Sequence, residues 1–241
     1  KAEKIYFPFI GMLREFSEIL PYLKNKVLFT SIRGTDITVT PYLQERVIEK
    51  YKQIYPFLNS IHYLSPHLKK IANEYGLNHP NEIIIHQGVK FQASISDSSV
   101  SSNSNFKVIT IARLHYIKGI EFGILAIREL VKRGLELSYV IIGDGPQKDY
   151  LQYLVKREKL EKVVTFRGPL SEKEIFKEIE YASLLLHPHM VEGLSNTMLE
   201  SIVLGKKVVT FESNIKQYNL KELEESIIEV EKYDFKLMAD S

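Results

Sequence analysis

Two cations and a glycine lie close together in Arg113-Leu-His-Tyr-Ile-Lys118-Gly119, directly after the apolar run Phe106–Ala112. Arginine can bind a phosphate through two parallel hydrogen bonds, and lysine binds it as a point charge. A helix that begins at Gly119 adds its free N–H groups to the attraction for an anion. The segment therefore predicts a phosphate or diphosphate site, although two solvated surface cations would give the same pattern.

A second segment, Gly143-Asp144-Gly145-Pro146, follows the apolar run Leu137–Ile142. The glycines would let a ligand approach the backbone, and Asp144 could accept hydrogen bonds. A tight turn after a strand is the alternative interpretation. No G-x-G-x-x-G sequence follows a predicted strand, so an NAD-linked oxidoreductase is not favoured.

A third segment, E-G-L-S-N-T-M-L-E, runs from Glu192 to Glu200. Gly193 gives the backbone conformational freedom just before a predicted helix. The polar side chains of 195–197 can cap the first turn of that helix, and its N-terminus would be a second anion-binding site. Carboxylates accept hydrogen bonds from sugar and ribose hydroxyls. Because Glu200 lies in the otherwise nearly all apolar run Met198–Leu204, we expect it to have a partner rather than to be a solvated surface charge.

Three histidines lie close to these segments. His187 and His189 flank a proline with no matching carboxylate cluster nearby, which makes a metal site improbable and favours a role in a loop or pocket wall. His115 lies between Arg113 and Lys118. It could touch a phosphate or be an exposed loop histidine.

Alternating strands and helices position these segments. The predicted strands of the second half are Phe106–Ala112, Leu137–Ile142, Val163–Phe166, Ser183–Leu186 and Lys207–Phe211. The predicted helices are Gly119–Arg133, Gln147–Lys159, one that begins at the capping box Ser171-x-x-Glu174, and Ser195–Leu204. An acidic, amphipathic stretch follows. This alternation predicts a parallel sheet with helices on both faces, in which ligands bind beyond the carboxyl ends of the strands.

The first half shows the same alternation less completely. Its predicted strands are Lys4–Phe9, Val27–Ile32, Leu58–Leu64 and Glu82–His86, and its predicted helices are Leu13–Leu23, Tyr42–Tyr51 and Pro66–Tyr75. A full doubly wound domain has about six strands, so we expect this N-terminal domain to be incomplete. Seven serines between 94 and 104 indicate a linker at 93–105, which separates an N-terminal domain, 1–92, from a C-terminal domain, 106–241.

Composition excludes several classes of protein. The 241 residues are 44% hydrophobic and 26% charged, which excludes wholesale disorder. With 32 Lys+Arg against 30 Asp+Glu, the chain has no basic excess of the kind that defines a nucleic-acid-binding surface. It contains no cysteine, which excludes disulfides and a thiol nucleophile and fits a reducing compartment.

Taken together, the segments resemble the retaining GT-B glycosyltransferases of the glycosyltransferase family 4 (glycosyl transferases group 1) type. That family has R-x4-K, matched by Arg113 and Lys118, then G-D-G-P, matched by Gly143–Pro146, and E-x7-E, matched by Glu192 and Glu200. Val163–Pro169 (VVTFRGP) stands where the family has its base-contacting turn. The resemblance covers about 106–212.

The resemblance implies two Rossmann-like doubly wound domains. It implies that Arg113 and Lys118 hold the nucleotide diphosphate and stabilise the leaving group, and that Glu192 contacts the transferred sugar. Glu200 would bind the ribose. The implied donor-binding set is Gly143, Asp144, Gly145, Arg167, Gly168, Leu170, Gly193, Leu194, Ser195, Asn196, Thr197 and Glu200. Such enzymes usually need no metal, since cations and helix dipoles replace it. No other cofactor is expected, and the nucleotide sugar is a co-substrate.

The first half resembles the family's acceptor-side domain more faintly. Val27–Asp36 looks like its strand followed by H-G-x-D, but Arg33 replaces the histidine. The family's Gly-rich loop precedes Lys1 or is absent. Its catalytic-region histidine has no evident counterpart, since Tyr6-Phe7-Pro8-Phe9 occupies that region.

The resemblance implies a cytoplasmic enzyme and allows a peripheral contact with the inner face of the membrane. It would move a hexosyl group from a UDP- or GDP-sugar to a hydroxyl of a glycan or lipid-linked acceptor, with retention, in cell-surface polysaccharide or glycolipid biosynthesis. No nucleic acid partner is expected. The alternative is a non-catalytic module that holds a sugar nucleotide or serves as a partner subunit, which the departures in the first half favour and the complete donor motifs oppose. A GT-B epimerase or phosphorylase is a weaker alternative.

Overall fold

The chain divides into two compact units, Lys1–Gln87 and Gly88–Ser241. The computed structural model describes residues 3–89, 106–190, 194–212, 223, 225–231 and 233–241. The linker predicted at 93–105 and the predicted site residues Glu192 and Gly193 lie outside these ranges. None of the helices described within them is long and apolar enough to span a membrane.

The first unit is built on a parallel sheet. Its strands are β1 (Lys4–Phe7), β2 (Val27–Ile32), β3 (Ser60–Tyr63) and β4 (Glu82–Ile84), in the order β1-β2-β3-β4. Its helices are α1 (Ile10–Glu15), α2 (Thr35–Thr38), α3 (Thr40–Leu43), α4 (Val47–Ile54) and α5 (Pro66–Glu74), with 3-10 turns at Ser17–Leu23 and Tyr55–Phe57. Fully buried Leu13, Ile32 and Ile61 form part of its core.

Two helices predicted in the first unit have the wrong bounds. The predicted helix Leu13–Leu23 is α1 followed by a 3-10 turn, because Pro21 has no N–H to donate to an α-helical bond. The predicted helix Tyr42–Tyr51 is interrupted between α3 and α4, where Arg46 adopts a left-handed φ of 59°. The four strands predicted in this half are confirmed, with shorter bounds for three of them.

The second unit is a six-stranded parallel sheet. Its strands are β5 (Phe106–Ile111), β6 (Leu137–Ile142), β7 (Val164–Gly168), β8 (Leu184–His187), β9 (Lys207–Phe211) and β10 (Ile227–Val230). Their order is β10-β9-β8-β5-β6-β7. This is the strand order of dinucleotide-binding domains, and the direction of winding reverses between β5 and β8. A crevice at the carboxyl ends of these two strands is the expected ligand site of such a sheet.

Helices cover both faces of the second sheet. They are α6 (Ile120–Lys132), α7 (Lys148–Arg157), α8 (Glu172–Glu180), α9 (Asn196–Val203) and α10 (Phe235–Asp240), with a 3-10 turn at Tyr116–Lys118. Side chains of α6, α7 and α10 share one core cluster, and those of α8 and α9 share another. The capping box predicted at Ser171 and Glu174 is confirmed.

The end of the chain departs from the sequence expectation. The acidic stretch predicted after Phe211 contains β10, which pairs in parallel with β9 from Ile227 opposite Val208 to Val230 opposite Phe211. Helix α10 then packs against α6, and its N-cap Asp234 accepts hydrogen bonds from the amides of Lys236 and Leu237. Residues Ile227–Val230 are a strand because they pair with β9, and their local composition does not predict it.

Candidate functional site

The described parts of the predicted segments lie at the carboxyl edge of the second sheet. The segment with Arg113 and Lys118 follows β5, and the segment that begins at His187 follows β8, so these two border the crevice where the strand order reverses. The Gly143–Pro146 segment follows β6, next to β5. Arg167 and Gly168 are the last residues of β7, and half-buried Leu170 follows them.

Backbone hydrogen bonds join the first two segments. The amide of Leu114 donates to the carbonyl of Asp144 at 2.9 Å, and the amide of Gln147 donates to the carbonyl of Leu114 at 2.9 Å. A Cβ atom at Gly145, whose φ is +157°, would lie only 2.5 Å from the Leu114 oxygen. Glycine is therefore required here by close backbone approach, and the G-D-G-P sequence places the Arg113 loop against β6.

The first segment also contacts the residues that follow β8. The amide of Met190 donates to the carbonyl of Ile117 at 2.9 Å. Gly119, with a left-handed φ of +56°, is so close to Pro188 that an added Cβ would lie 2.1 Å from the Pro188 oxygen. The turn that carries Lys118 is thus packed on the loop that leads towards α9.

The two predicted cations differ in their surroundings. Arg113 is exposed and makes no ion pair with a carboxylate of the described residues. Lys118 is only 7% exposed. Its charge is one of the causes that lower the pKa of His187, after burial and the neighbouring ring of His189, which places the ammonium group near that histidine. A buried lysine and an exposed arginine in one segment after β5 suit an anion that enters the crevice from solvent.

The N-terminus of α9 is held by the buried His187, in a role that the sequence does not predict. Ser195 is the N-cap of α9, and its Oγ accepts from the amide of Met198 at 3.2 Å. The same Oγ lies 2.9 Å from Nε2 of His187, and Nδ1 of His187 lies 3.2 Å from Oγ1 of Thr210. Fully buried His187 therefore connects the end of β8 to both β9 and the start of α9.

The donors of this network can be assigned. The hydroxyl of Thr210 donates to the carbonyl of His187 at 2.7 Å, so its oxygen accepts from Nδ1 of His187. Nε2 then carries no proton and accepts from the Ser195 hydroxyl, which leaves the Ser195 oxygen to accept from Met198. Each link requires the neutral, Nδ1-protonated ring. The sequence indicated only a loop or pocket-wall role; a histidine that ends a run of buried leucines was the available signal.

The carboxylate of Glu200 lies half-buried in the middle of α9. The partner expected from the sequence is absent from the described residues, because no donor or cation among them contacts this carboxylate. Burial raises its pKa, and the negative charge of Glu172 raises it further. An isolated carboxylate of this kind is suited to accept hydrogen bonds from hydroxyl groups of a ligand.

The remaining predicted donor-site residues divide into two groups. Asp144 and Arg167 already have protein partners: Asp144 Oδ1 accepts from the amide of Gly145, and Arg167 contacts Glu178 at 3.4 Å. Leu194 is buried beside Ser195, while Asn196 and Thr197 form the first turn of α9. Within the described part of the chain, no group of three histidine, aspartate or glutamate side chains could hold a metal ion.

The buried histidine predicts a particular pH dependence of stability. Burial lowers the pKa of His187 well below its ordinary value of 6.5. At mildly acidic pH the unfolded chain therefore binds a proton at this histidine, and the folded chain does not. Below pH 6.5 this site should reduce the free energy of unfolding by about 1.4 kcal/mol per pH unit. We expect His187→Gln to show a shallower loss between neutral and mildly acidic pH in urea unfolding, while Val208→Ala, a cavity variant in β9, keeps the wild-type slope. Equal slopes for wild type and His187→Gln would contradict the prediction.

The chain is similar in sequence to several glycosyltransferases. It is 32% identical over 107 residues to the alpha-D-kanosaminyltransferase of Streptomyces kanamyceticus, covering 44% of this chain and 28% of that protein. It is 25% identical over 221 residues to the amylovoran biosynthesis glycosyltransferase AmsK of Erwinia amylovora, covering 86% of this chain and 52% of that protein. The chain therefore spans about a quarter to a half of the length of these relatives.

Solved structures confirm the predicted GT-B type of α/β fold. Anabaena HepE in complex with UDP-glucose matches with a TM-score of 0.82 at 17% identity, over 99% of this chain and 67% of that one. Sucrose-phosphate synthase from Thermosynechococcus elongatus matches with a TM-score of 0.81 at 15% identity, over 99% of this chain and 63% of that one. The Glycosyl transferases group 1 family matches residues 91–234, which is more than half of the chain, and the chain therefore belongs to that family.

Proposed function

We propose that this chain acts in a retaining, metal-independent glycosyltransferase that moves a hexosyl group from a UDP- or GDP-sugar to an acceptor hydroxyl during glycan biosynthesis. Family membership and the names of the relatives support sugar transfer. In this proposal 106–241 binds the donor and 1–92 faces the acceptor. The observation that supports it is the strand order: the loop with Arg113 and Lys118 follows β5, and the chain from β8 leads to the N-terminus of α9, so both border the crevice at which the strand order reverses.

Charge complementarity supports a diphosphate in this crevice. The two cations and the partial positive charge of the α9 N-terminus would balance a diphosphate without a metal ion. As the bond from the sugar to the diphosphate breaks, negative charge grows on the leaving oxygen. Groups that are already oriented towards that oxygen stabilise the transition state more than the ground state. Arg113 and Lys118 are proposed for this role.

The carboxylates complete the proposed donor site. Glu200 has no described partner and would accept hydrogen bonds from the ribose hydroxyls. Glu192 is proposed to contact the transferred sugar. Gly143 and Gly145 pack on the backbone of neighbouring residues, whereas no atom lies within 4 Å of the Cβ position of Gly168; we propose that these glycines let the nucleotide approach the backbone.

Calorimetry of the Arg113→Ala variant tests the diphosphate assignment. We expect wild-type protein to bind UDP or GDP in the presence of EDTA, and the variant to bind that nucleotide about 10- to 100-fold more weakly, because a charge-assisted hydrogen bond is lost. Affinity for the corresponding nucleoside should change less than about 2-fold. The matched control is Arg133→Ala, since Arg133 caps the far end of α6 at the opposite edge of the sheet.

Two outcomes would count against the proposal. Equal loss of nucleoside and nucleotide affinity would show that Arg113 does not contact the diphosphate. Binding that EDTA abolishes would show that a metal ion takes part. Retention itself is tested separately, by the anomeric configuration of the product in proton NMR with the full-length enzyme.

A further inference from the structure

A polar cavity of about 500 Å³ lies at the amino edge of the first sheet. It is found where α4 and α5 end and where β3 and β4 begin, and all of its lining residues belong to the first unit. Its volume is in the range of small-molecule sites, about 300–1,000 Å³. No residue of the predicted donor site lines it, so the cavity has no part in the site described above.

Two asparagines in the wall of the cavity are held by hydrogen bonds to the backbone. Oδ1 of Asn59 accepts from the amide of Leu28 at 2.7 Å, and Nδ2 of Asn81 donates to the carbonyl of Asn59 at 3.0 Å. A backbone amide only donates and a carbonyl only accepts, so these partners fix which atom of each side chain is oxygen and which is nitrogen. Nδ2 of Asn59 and Oδ1 of Asn81 have no partner among the described residues. The wall therefore carries a fixed N–H donor and a fixed oxygen acceptor.

His79 holds the same wall in place. Its Nε2 donates to the carbonyl of Leu58 at 3.0 Å, and its Nδ1 lies 3.1 Å from the amide nitrogen of Asn81. Its ring packs edge-on against Tyr55, with the ring centroids 6.4 Å apart. These contacts tie the segment before β3 to the segment before β4. The asparagines therefore keep their positions without a ligand, which lowers the entropy that binding costs.

The charges around the cavity do not suit an ionic ligand. No carboxylate lines it within the described part of the chain, so a metal ion or an amine finds no counter-charge. Nζ of Lys52 lies 3.4 Å from the position that a Cβ would take at Gly76, just after the end of α5. The negative end of that helix dipole already balances the lysine charge and opposes an anion.

The remaining surface of the cavity suits a sugar. A sugar hydroxyl both donates and accepts, and a side-chain amide offers the complementary donor and acceptor. Asn78 is exposed, has no partner among the described residues and adds a third amide. The exposed rings of Pro56 and Pro80 and the buried side chain of Leu77 supply apolar surface for the C–H groups of a sugar ring.

We propose that this cavity binds a neutral saccharide, one without phosphate, carboxylate or amine, through the side-chain amides of Asn59, Asn78 and Asn81. Such a site holds a sugar without acting on it, since no bond is made or broken there. The proposal goes beyond the proposed function and does not depend on it, because binding here requires no nucleotide.

An NMR titration of the full chain with ¹⁵N-labelled asparagine tests the site. The probes are maltose, cellobiose and N,N′-diacetylchitobiose, with sodium phosphate as the charged comparison. We expect at least one disaccharide to shift the side-chain amide signals of Asn59 and Asn78 saturably in the absence of UDP and GDP, and phosphate to leave them unchanged. Asn78→Ala, at an exposed position, should weaken this binding about 2- to 10-fold through loss of a neutral hydrogen bond.

Two further variants serve as controls. Asn73 is exposed near the end of α5 and does not line the cavity, so Asn73→Ala should bind the disaccharide as wild type does. Lys52→Gln removes the positive charge from the wall and should change the affinity for a neutral sugar by less than about 2-fold.

Any of three results would overturn the proposal: none of the disaccharides shifts these signals, Asn78→Ala binds as tightly as Asn73→Ala, or phosphate binds in wild type and is lost in Lys52→Gln. The last result would assign the cavity to an anion. Failure of the proposed function looks different, because it is seen as absent UDP and GDP binding in calorimetry while the disaccharide titration remains as expected.

Discussion

Gly143→Ala is expected to destabilise the second unit by about 3–5 kcal/mol and to abolish measurable nucleotide binding. A Cβ atom at this position would lie 1.9 Å from the carbonyl oxygen of Ala112 and 3.0 Å from its carbon. The clashing atoms are backbone, and they are fixed, since the amide of Ala112 donates to Ile142 and the amide of Gly143 donates to Gly168. The φ of +131° adds strain for any residue with a side chain.

Gly134→Ala is the matched control for this substitution. Gly134 also has a positive φ, +84°, but no atom lies within 4 Å of its Cβ position. Gly134→Ala should lower the free energy of unfolding only by the strain of a left-handed residue, about 1–2 kcal/mol, and should leave nucleotide affinity unchanged. Urea unfolding and calorimetry of both variants give the comparison. Similar unfolding midpoints for the two would show that the contact with Ala112 relaxes easily, and would contradict the tight junction of the first two segments.

The second large effect is expected at Glu200, where stability and binding should change in opposite directions. Glu200→Gln should raise the thermal midpoint at neutral pH and weaken nucleotide binding about 10- to 100-fold, through loss of charged hydrogen bonds to the ribose. The carboxylate is half-buried without a described partner, and burial followed by the charge of Glu172 raises its pKa. Its ionised form therefore costs folding free energy, which glutamine does not.

The sign of the pH dependence follows from that raised pKa. The folded chain holds the Glu200 proton more tightly than the unfolded chain, so stability falls as pH rises from about 4.5, the ordinary value, through the folded pKa. The gain from Glu200→Gln should accordingly be present at neutral pH and vanish below about pH 4. Glu161→Gln, at an exposed carboxylate of the same unit, should change neither property. A variant that is less stable than wild type at neutral pH would show that Glu200 has a partner in the folded protein.

Much of the fold could be predicted because its signals are local. The strands β5, β6, β8 and β9 are short apolar runs, and the Ser171 capping box marks the start of α8 within four residues. The sequence predictions were wrong where contacts between distant residues, or an unusual backbone conformation, determine the secondary structure. The residues of β10 form a strand because they pair with β9. The helix is interrupted before α4 by the left-handed backbone of Arg46, and no glycine or proline at that position predicts this.

For the candidate site, the order and spacing of Arg113, Lys118, Gly143–Pro146 and Glu200 along the chain predict an anion-binding crevice, and the roles of these residues stay predictions. Spacing along the chain does not contain the order of strands across a sheet. Only the tertiary structure places β5 beside β8, buries Lys118 near His187 and leaves Glu200 without a described partner.

The hydrogen bonds of His187 and His62 likewise follow from the tertiary structure and not from the sequence. His187 and Ser195 are eight residues apart, and Tyr6, Ser31 and His62, which form a hydrogen-bonded row, belong to three different strands. Nothing in their local sequence links them. The register of parallel strands brings Tyr6, Ser31 and His62 together, and the return of the chain at the N-cap of α9 brings Ser195 to His187. The sequence by itself determined which residue types line the edges of the two sheets; the pairing of the strands decided which of them act together.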